Sequence, residues 1–565
     1  MTVSTETPKA AARPTADAQP SAKQDLWIFR DGKRNVSAPE MVADLLSRLR
    51  NSSLSHAALD ALIEAGGLEA ALEDAGCQSA NSASRVTSAI ASVVCGTSRN
   101  GLAMAEEILA SLEVPARIDV SPPEGFTYYA LHPTDFVGVL GKVPREPKAC
   151  AVVGIRSIGT TLSAIVLASL LAEGRPATRI TVRPTGHPYS RTTEFGAVQL
   201  AWVEQNLAAQ FLVVDEGPGR SGSTFLSVAE ALLDAGVPRE NITLVGSREP
   251  DVNSLCADNA ARRWREFRFI ATTPSVNRRF ERYTYMGSGD WRKFLLPADE
   301  TWPGSWTQME RLKFLSPDWK RLYKFEGMGP FGVKSRARAF QLADAGFGPS
   351  VCEAEDGFLS YSLVKGKALQ SEDANSRVVD RIAQYCAFRY SEFSSAAPSG
   401  IQQLRQMLEF NVGQEFGITL SLHEDDFCDG RAVITDGSMH PHEWIAARSG
   451  RIIKVDGVDH GDNHFFPGPC DIAWDLAGAC VEWKMSGATT EYLLNRFRIE
   501  SGLDVSPRFD LYRLTYLVFR LGFCKMGIST VVGSPEETRL KRAYEYYRAQ
   551  AHRLLALAAL KGQAA

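Results

Sequence analysis

Between Ala149 and Ser247, short β-branched runs and helix-patterned stretches take turns without a break. They run Ala151-Val152-Val153, Leu162 to Leu171, Ile180-Thr181-Val182, Ala197 to Leu207, Phe211-Leu212-Val213-Val214, Phe225 to Leu233 and Ile242-Thr243-Leu244-Val245. A parallel strand reaches its neighbour only through a crossover, and a helix supplies one, so this order predicts a doubly wound parallel sheet of the α/β class. The chain is 565 residues long, enough for two or three domains, and the rest of it follows other rules.

Residues 1–24 are rich in Ala, Thr, Pro and Ser with no apolar centre, which predicts a disordered tail and not a signal peptide. Over 25–115 the apolar positions recur at helical spacing, as in Met41-Val42-Leu45-Leu46-Leu49 and Leu59-Leu62-Ile63-Leu68, a helical lead-in. The parallel-sheet domain is expected over 116–290, and a Trp- and Pro-rich connector over 291–318. An α+β domain over 319–565 starts with strand-like runs and ends in helices, the last two carrying Leu511, Leu514, Leu517 and Tyr547, Leu554, Leu555 at core spacing.

Charge narrows the partners. Lys plus Arg number 62 against 66 Asp plus Glu, a net charge of -4, so no overall field draws the chain to nucleic acid and small molecules are the expected partners. The apolar stretch from Ile158 to Leu171 is too short to span a bilayer. The ten cysteines are scattered without a C-x-x-C pair, as reduced thiols in a cytoplasmic protein would be. Oligomeric state leaves no mark in the sequence.

Two segments of the predicted sheet carry chemistry. The run Phe211 to Val214 leads into Asp215-Glu216-Gly217-Pro218-Gly219-Arg220-Ser221-Gly222-Ser223-Thr224, directly before a helix. Small residues let successive backbone N–H groups converge on an anion, and the helix N-terminus adds positive potential, so Gly219 to Thr224 reads as a phosphate cradle. The adjacent acids suit vicinal hydroxyls. Upstream, Val153-Gly154-Ile155-Arg156-Ser157-Ile158-Gly159-Thr160-Thr161 repeats the strand-turn-helix order. Between the two lies Arg183-Pro184-Thr185-Gly186-His187-Pro188-Tyr189-Ser190-Arg191, with the Pro and Gly content of a mobile loop and cations able to cover an anion. A plain turn after a strand is the alternative reading of each.

Together these segments resemble the type I phosphoribosyltransferases. The resemblance implies that Asp215 and Glu216 grip the ribose of phosphoribosyl pyrophosphate (PRPP), and that Gly219, Arg220, Ser221, Gly222, Ser223 and Thr224 hold its 5′-phosphate. It also implies that Arg156, Ser157, Gly159 and Thr160 receive the departing pyrophosphate with Mg2+, and that Arg183, His187 and Arg191 belong to a flexible hood. The loop is one residue longer between acids and glycine than that family's usual spacing.

The second half carries Arg321-Leu322-Tyr323-Lys324-Phe325, then Phe340 to Pro349, then Gly357 to Gly366. Further on come Val433-Ile434-Thr435-Asp436-Gly437-Ser438-Met439-His440-Pro441-His442-Glu443, Ile452-Ile453-Lys454-Val455-Asp456-Gly457 and Asp471 to Ala477. This ordered string resembles the aminoglycoside phosphotransferases and related two-lobed kinases. The resemblance implies that Lys324 binds ATP phosphates and that Asp456 holds Mg2+. Aligned on His440-Pro441, Ser438 stands where the family's general base is and Glu443 where its second metal ligand is, while Asp436 is the nearby acid that can serve as base. The region Ser335 to Arg338 has no glutamate to pair with the strand lysine.

His440, His442 and His460 with Asp456 leave a transition metal open as an alternative to Mg2+, with His423, His464, Asp459 and Asp462 close by in sequence. The expected function is therefore a bifunctional enzyme, joining phosphoribosyl transfer from PRPP to ATP-dependent phosphorylation of a nucleoside-like metabolite. The other reading is a PRPP- or nucleotide-sensing regulatory protein with a degenerate kinase-like scaffold.

Overall fold

The structure, a computed structural model, describes residues 2–4, 27–29, 33–50, 55–146, 148–219, 221–297, 302–395, 400–427, 431–458, 460–463, 465–466 and 468–563. Residues 5–24 of the expected tail lie outside these, while Thr2–Ser4 pair antiparallel with Thr419–Ser421 and depart from that expectation.

Strand β1 (Arg34–Ser37) opens the N-terminal region, followed by helices α1 (Ala38–Arg50), α2 (Ser55–Asp74), α3 (Ala80–Val94) and α4 (Gly101–Ala110), and by β2 (Arg117–Val120), which pairs antiparallel with β1. The next elements are β3 (Cys150–Ile155), α5 (Ile158–Ala172), β4 (Ala177–Val182), the hairpin β5 (Thr185–His187) and β6 (Ser190–Thr192), α6 (Ala197–Gln205), β7 (Gln210–Val214), α7 (Ser223–Asp234), β8 (Ile242–Gly246) and β9 (Arg268–Ala271). Strands β9-β8-β7-β3-β4 form one five-stranded sheet in that order, and each neighbouring pair is parallel.

Alternate side chains of β3 and β7 enter two different cores. Val152, Leu212 and Val214 join one, whereas Ala151, Val153, Phe211 and Val213 join the other. This is why the strands read as unbroken apolar runs: a sheet covered on both faces has no polar side. The apolar stretch noted in the sequence is α5, buried nearly all round between the sheet and the N-terminal helices. Among the described residues no helix is long and apolar enough to cross a membrane.

In the second half, β10 (Thr284–Tyr285), β11 (Lys313–Leu315), β12 (Arg321–Phe325), α8 (Gly329–Asp344), β13 (Val351–Glu353) and β14 (Phe358–Ser362) make an antiparallel sheet of order β10-β11-β12-β14-β13 with one helix beside it. The strands β15 (Gly366–Ala368), β16 (Trp444–Ala447) and β17 (Ile452–Lys454) form a smaller sheet. Helices α9 (Ser376–Glu392), α10 (Ile401–Phe416), α11 (Ala473–Glu482), α12 (Gly487–Ser501), α13 (Ser506–Thr530) and α14 (Pro535–Gln563) supply the bulk of the C-terminal lobe. The expected connector over 291–318 is more than a connector, because β11 lies inside it and the antiparallel sheet already begins at Thr284.

Residues 286–297 and 302–312, between β10 and β11, form a strap that crosses to the far lobe. There Arg292 donates to both oxygens of Glu536 on α14, at 3.0 and 2.6 Å, and the backbone N–H of Ser305 donates to Glu536 at 3.0 Å. Trp306 seats the strap by packing its ring 4.9 Å from Phe465 and 5.2 Å from Phe523.

The expected domains share a core. Leu62 and Ile63 of α2, Phe126, Val152 and Leu212 cluster with Phe325, Met328 and Phe358 of the antiparallel sheet region. Backbone bonds cross the same seam: Gly329 donates to Asp60 at 2.6 Å and Met328 to the Phe126 carbonyl at 3.0 Å.

Candidate functional site

In the order β4-β3-β7-β8-β9 the sheet's second strand in sequence lies outside its first, so the direction of winding reverses between β3 and β7. Ligands of doubly wound sheets sit at the carboxyl ends of the strands at such a reversal. Both sequence-predicted anion loops start there. Gly159 packs so close to β7 that a Cβ would fall 2.4 Å from the Val214 carbonyl, and its N–H donates to the Asp215 carboxylate. Ser157, with φ of 98°, holds a left-handed conformation that a side chain disfavours, a strain kept where a loop's shape matters. Thr160 is fully buried and its hydroxyl has no hydrogen-bond partner.

Asp215 and Glu216 stand side by side past β7. Burial, modestly offset by backbone donors and Arg183, pushes the Asp215 carboxyl up to about 7. Burial and then the neighbouring charges of Asp215 and Glu124 push Glu216 to about 8. The pair is thus poised to change ionisation near neutrality. Gly125 packs against Glu216, where a Cβ would lie 2.8 Å from the carboxyl carbon.

The hairpin β5–β6 closes on the second loop: Ser221 and Ser223 donate their hydroxyls to the Pro188 carbonyl at 2.8 and 2.7 Å. Gly222 takes a left-handed φ of 71° just before α7, while Gly219 is exposed and Thr224 lies in the first turn of the helix. Arg220 lies outside the described residues. Arg183 reaches back to the first loop through the Arg156 carbonyl at 2.8 Å, and Arg191 bonds the Gly186 carbonyl at 2.6 Å within the hairpin. His187 accepts from the Tyr189 backbone N–H at 3.3 Å. The three segments therefore converge on one strand-end region. Arg156 and Arg183 are also bound by acids of α2, a partnership with no local sequence signal.

The second site is a cavity of about 280 Å³ between the antiparallel sheet, the strap, the small sheet and α13. Lys324 on β12 is 4% exposed; its ammonium lies 2.8 Å from Asp456 Oδ1 and 3.2 Å from Glu326. Lys313 on β11 approaches the other Asp456 oxygen at 2.9 Å. Burial alone would raise the Asp456 carboxyl, but Lys313 and Lys324 hold it well below the usual carboxylate range. Lys313 and Glu326 escaped the sequence reading. Glu326 follows the lysine at i+2 and pairs with it; the helix arginines turn elsewhere, Arg336 to Asp60 and Arg338 to the Val458 carbonyl.

Asp436 does not face the cavity as a base should. It is 0% exposed and accepts from Tyr385 at 2.5 Å and from the Ser438 N–H at 3.1 Å, with Lys454 at 3.3 Å and His460 at 3.5 Å. Its own N–H and that of Gly437 donate to Asp475 at 2.7 and 3.0 Å. A carboxylate so occupied fixes the loop, whereas the expectation has Asp436 take a substrate proton. Ser438 does line the cavity and donates to Glu443 at 2.9 Å, while Lys454 holds the other Glu443 oxygen at 2.7 Å.

Mg2+ is commonly held by one or two carboxylates completed by nucleotide phosphates, and Asp456 with Glu443, both lining the cavity, fits that donor set. The all-protein transition-metal alternative does not fit: among the described residues no group of three or more His, Cys, Asp or Glu is placed to hold an ion. His440 pairs with Glu482 at 3.0 Å and stacks on His442, which stacks on Trp291. His464 and Asp459 lie outside the described residues.

No protein-family model matches the chain, and no curated protein matches it. Among solved structures, a choline/ethanolamine kinase family protein from Mesorhizobium loti is 14% identical, with 46% of this chain and 94% of that one covered at a TM-score of 0.29. Choline kinase LicA from Streptococcus pneumoniae is 13% identical, with 42% and 89% covered and a TM-score of 0.29. Aminoglycoside 2′-phosphotransferase-IIIa is 16% identical, with 42% and 89% covered and a TM-score of 0.27. Likeness at this level carries no argument about activity, and the functional reading rests on the residues of the two sites.

Proposed function

We propose that the second half transfers the γ-phosphoryl group of ATP to a hydroxyl of a nucleoside-like small molecule. The observation that carries this reading is the pair of lysines from neighbouring strands that converge on Asp456 at the cavity wall. Two ammonium groups can hold the β- and γ-phosphates, and such transfer depends mainly on positioning and charge stabilisation. Asp456 and Glu443 would hold Mg2+, which supplies further neutralisation of the phosphates. Ser438, hydrogen-bonded to Glu443, faces the acceptor side of the cavity and orients the attacking hydroxyl.

The first half is proposed to bind PRPP at the reversal between β3 and β7. Asp215 and Glu216 would take the ribose hydroxyls, the Gly219–Thr224 loop the 5′-phosphate, and Arg156 the pyrophosphate that leaves C1 as a base nitrogen bonds to it. Its support is the convergence of Arg156, Gly159, Asp215, Ser221 and the hairpin on one strand-end region.

One observation favours a second reading: Ser438 stands where a base carboxylate is expected and Asp436 is fully engaged, which suits a nucleotide-sensing scaffold. Calorimetry with Mg-ATP and with PRPP, followed by assays of ATP consumption and pyrophosphate release, separates the two. Turnover supports the enzyme, binding without turnover supports the sensor, and no binding at either site removes both.

A further inference from the structure

The acids that bind Arg156 and Arg183 come from the end of α2. Arg156 donates to Glu73 at 3.0 Å and to Asp74 at 3.2 Å, while Arg183 donates to Asp74 at 2.7 and 3.1 Å. One turn earlier, Glu69 pairs with Arg179 at 2.8 Å, both nearly inaccessible. That inner pair is a fixed strut, but the outer pairs differ: the Glu73 side chain is 29% exposed, and Asp74 borders a gap lined by Ser157, Thr161 and Arg183. The gap is about 10 Å³, which is room for a single water and not for a diphosphate.

Carboxylates at a helix C-terminus oppose the helix dipole, so Glu73 and Asp74 gain little from their own helix and much from the two guanidinium groups. Just beyond them Gly76 turns with φ of 65° and would meet nothing within 4 Å even with a side chain, so the helix end has open space beside it. Two carboxylates thus present two negative charges to the arginines assigned above to pyrophosphate, at hydrogen-bonding distances a diphosphate would use.

We infer that Glu73 and Asp74 are an intramolecular stand-in for the diphosphate, closing the first site until a pyrophosphate-bearing ligand displaces the end of α2. This rests on the PRPP reading of the first half. A diphosphate brings more charge than two carboxylates and bonds each arginine bidentately, so it can win the exchange. Until it does, the acid pair lowers the apparent affinity by the fraction of molecules in the open state.

The test is calorimetric titration of the full-length protein and its E73Q/D74N variant with inorganic pyrophosphate and with PRPP. Removing the acids should raise pyrophosphate affinity tenfold or more, and saturating pyrophosphate should speed hydrogen exchange at residues 70–78 of the unsubstituted protein. Unchanged or weaker affinity in the variant, or unchanged or slower exchange at that helix end, overturns the inference and leaves the acids as structural partners. Should the double variant fail to fold, E73Q alone with the exchange measurement decides the matter. If neither protein binds pyrophosphate or PRPP, the PRPP reading falls and this inference with it; if both bind PRPP equally, only the stand-in falls.

Discussion

Asp456 is shared by two ammonium groups, so its loss is felt by both. Asp456→Asn should remove the carboxylate that Lys313 and Lys324 share, leaving Lys324 its pair with Glu326, and ATP-dependent turnover should fall by two orders of magnitude or more in a coupled assay, consistent with removal of a charge that acts in the transition state. Lys313→Met should mainly raise the KM for ATP, by about tenfold, the loss of roughly one charge-assisted hydrogen bond. A titration showing normal ATP affinity in that variant would remove Lys313 from the site. The acids of the first site give a pH signature. Their folded values near 7 and 8 lie above the unfolded carboxylate range, so the folded form holds its protons more tightly and loses stability as pH rises from about 4 towards 8. D215N/E216Q relieves that loss: the variant should melt higher than the parent at pH 8.5, by about 1 °C per kcal/mol recovered in a cooperative unit this large, and nearly equally at pH 4. Calorimetric scans at the two pH values check the sign. Residues such as Asp215, Gly159, Lys324 and Asp456 were legible in sequence because each sits in a run whose neighbours announce a strand end. Lys313, Glu326, Glu73 and Asp74 were not, because their meaning comes from partners as much as 143 residues away.

At the level of elements, the parallel sheet was readable because buried strands and their crossover helices differ in period along the chain. The strap was not, since its Trp and Pro content reads as a linker and only the tertiary bonds to α14 reveal its course. Arg292 and Glu536 are both largely buried, so Glu536→Ala leaves an unpaired guanidinium and should cost about 3 kcal/mol. Hydrogen exchange across the strap should quicken in that variant, and Mg-ATP should be held less tightly because Trp291, Trp306 and Met309 wall the cavity. Exchange that stays slow would show that Trp306 packing alone seats the strap.

Over the whole molecule, the core runs across the expected boundaries of lead-in, first domain and second domain, joining Ile63 and Phe126 to Phe325 and Phe358. Periodicity marks which residues are buried; it carries nothing about which distant element covers them. The full chain should therefore lose its N-terminal helices, parallel sheet and antiparallel sheet in one thermal transition, and a fragment ending at residue 283 should expose the α2 face and fail to melt cooperatively. Separate calorimetric peaks for the two halves would refute the shared core. The short helix Glu124–Tyr128 makes the point most sharply: Gly125 touches Glu216, the Thr127 carbonyl accepts from Arg311 at 2.6 Å, and Tyr128 walls the cavity of the second half. A single short stretch of backbone is upholstery for both chambers, so recombination that replaced either half with a distant cousin would have to retailor these residues first, and a chimera would come apart along that stitch.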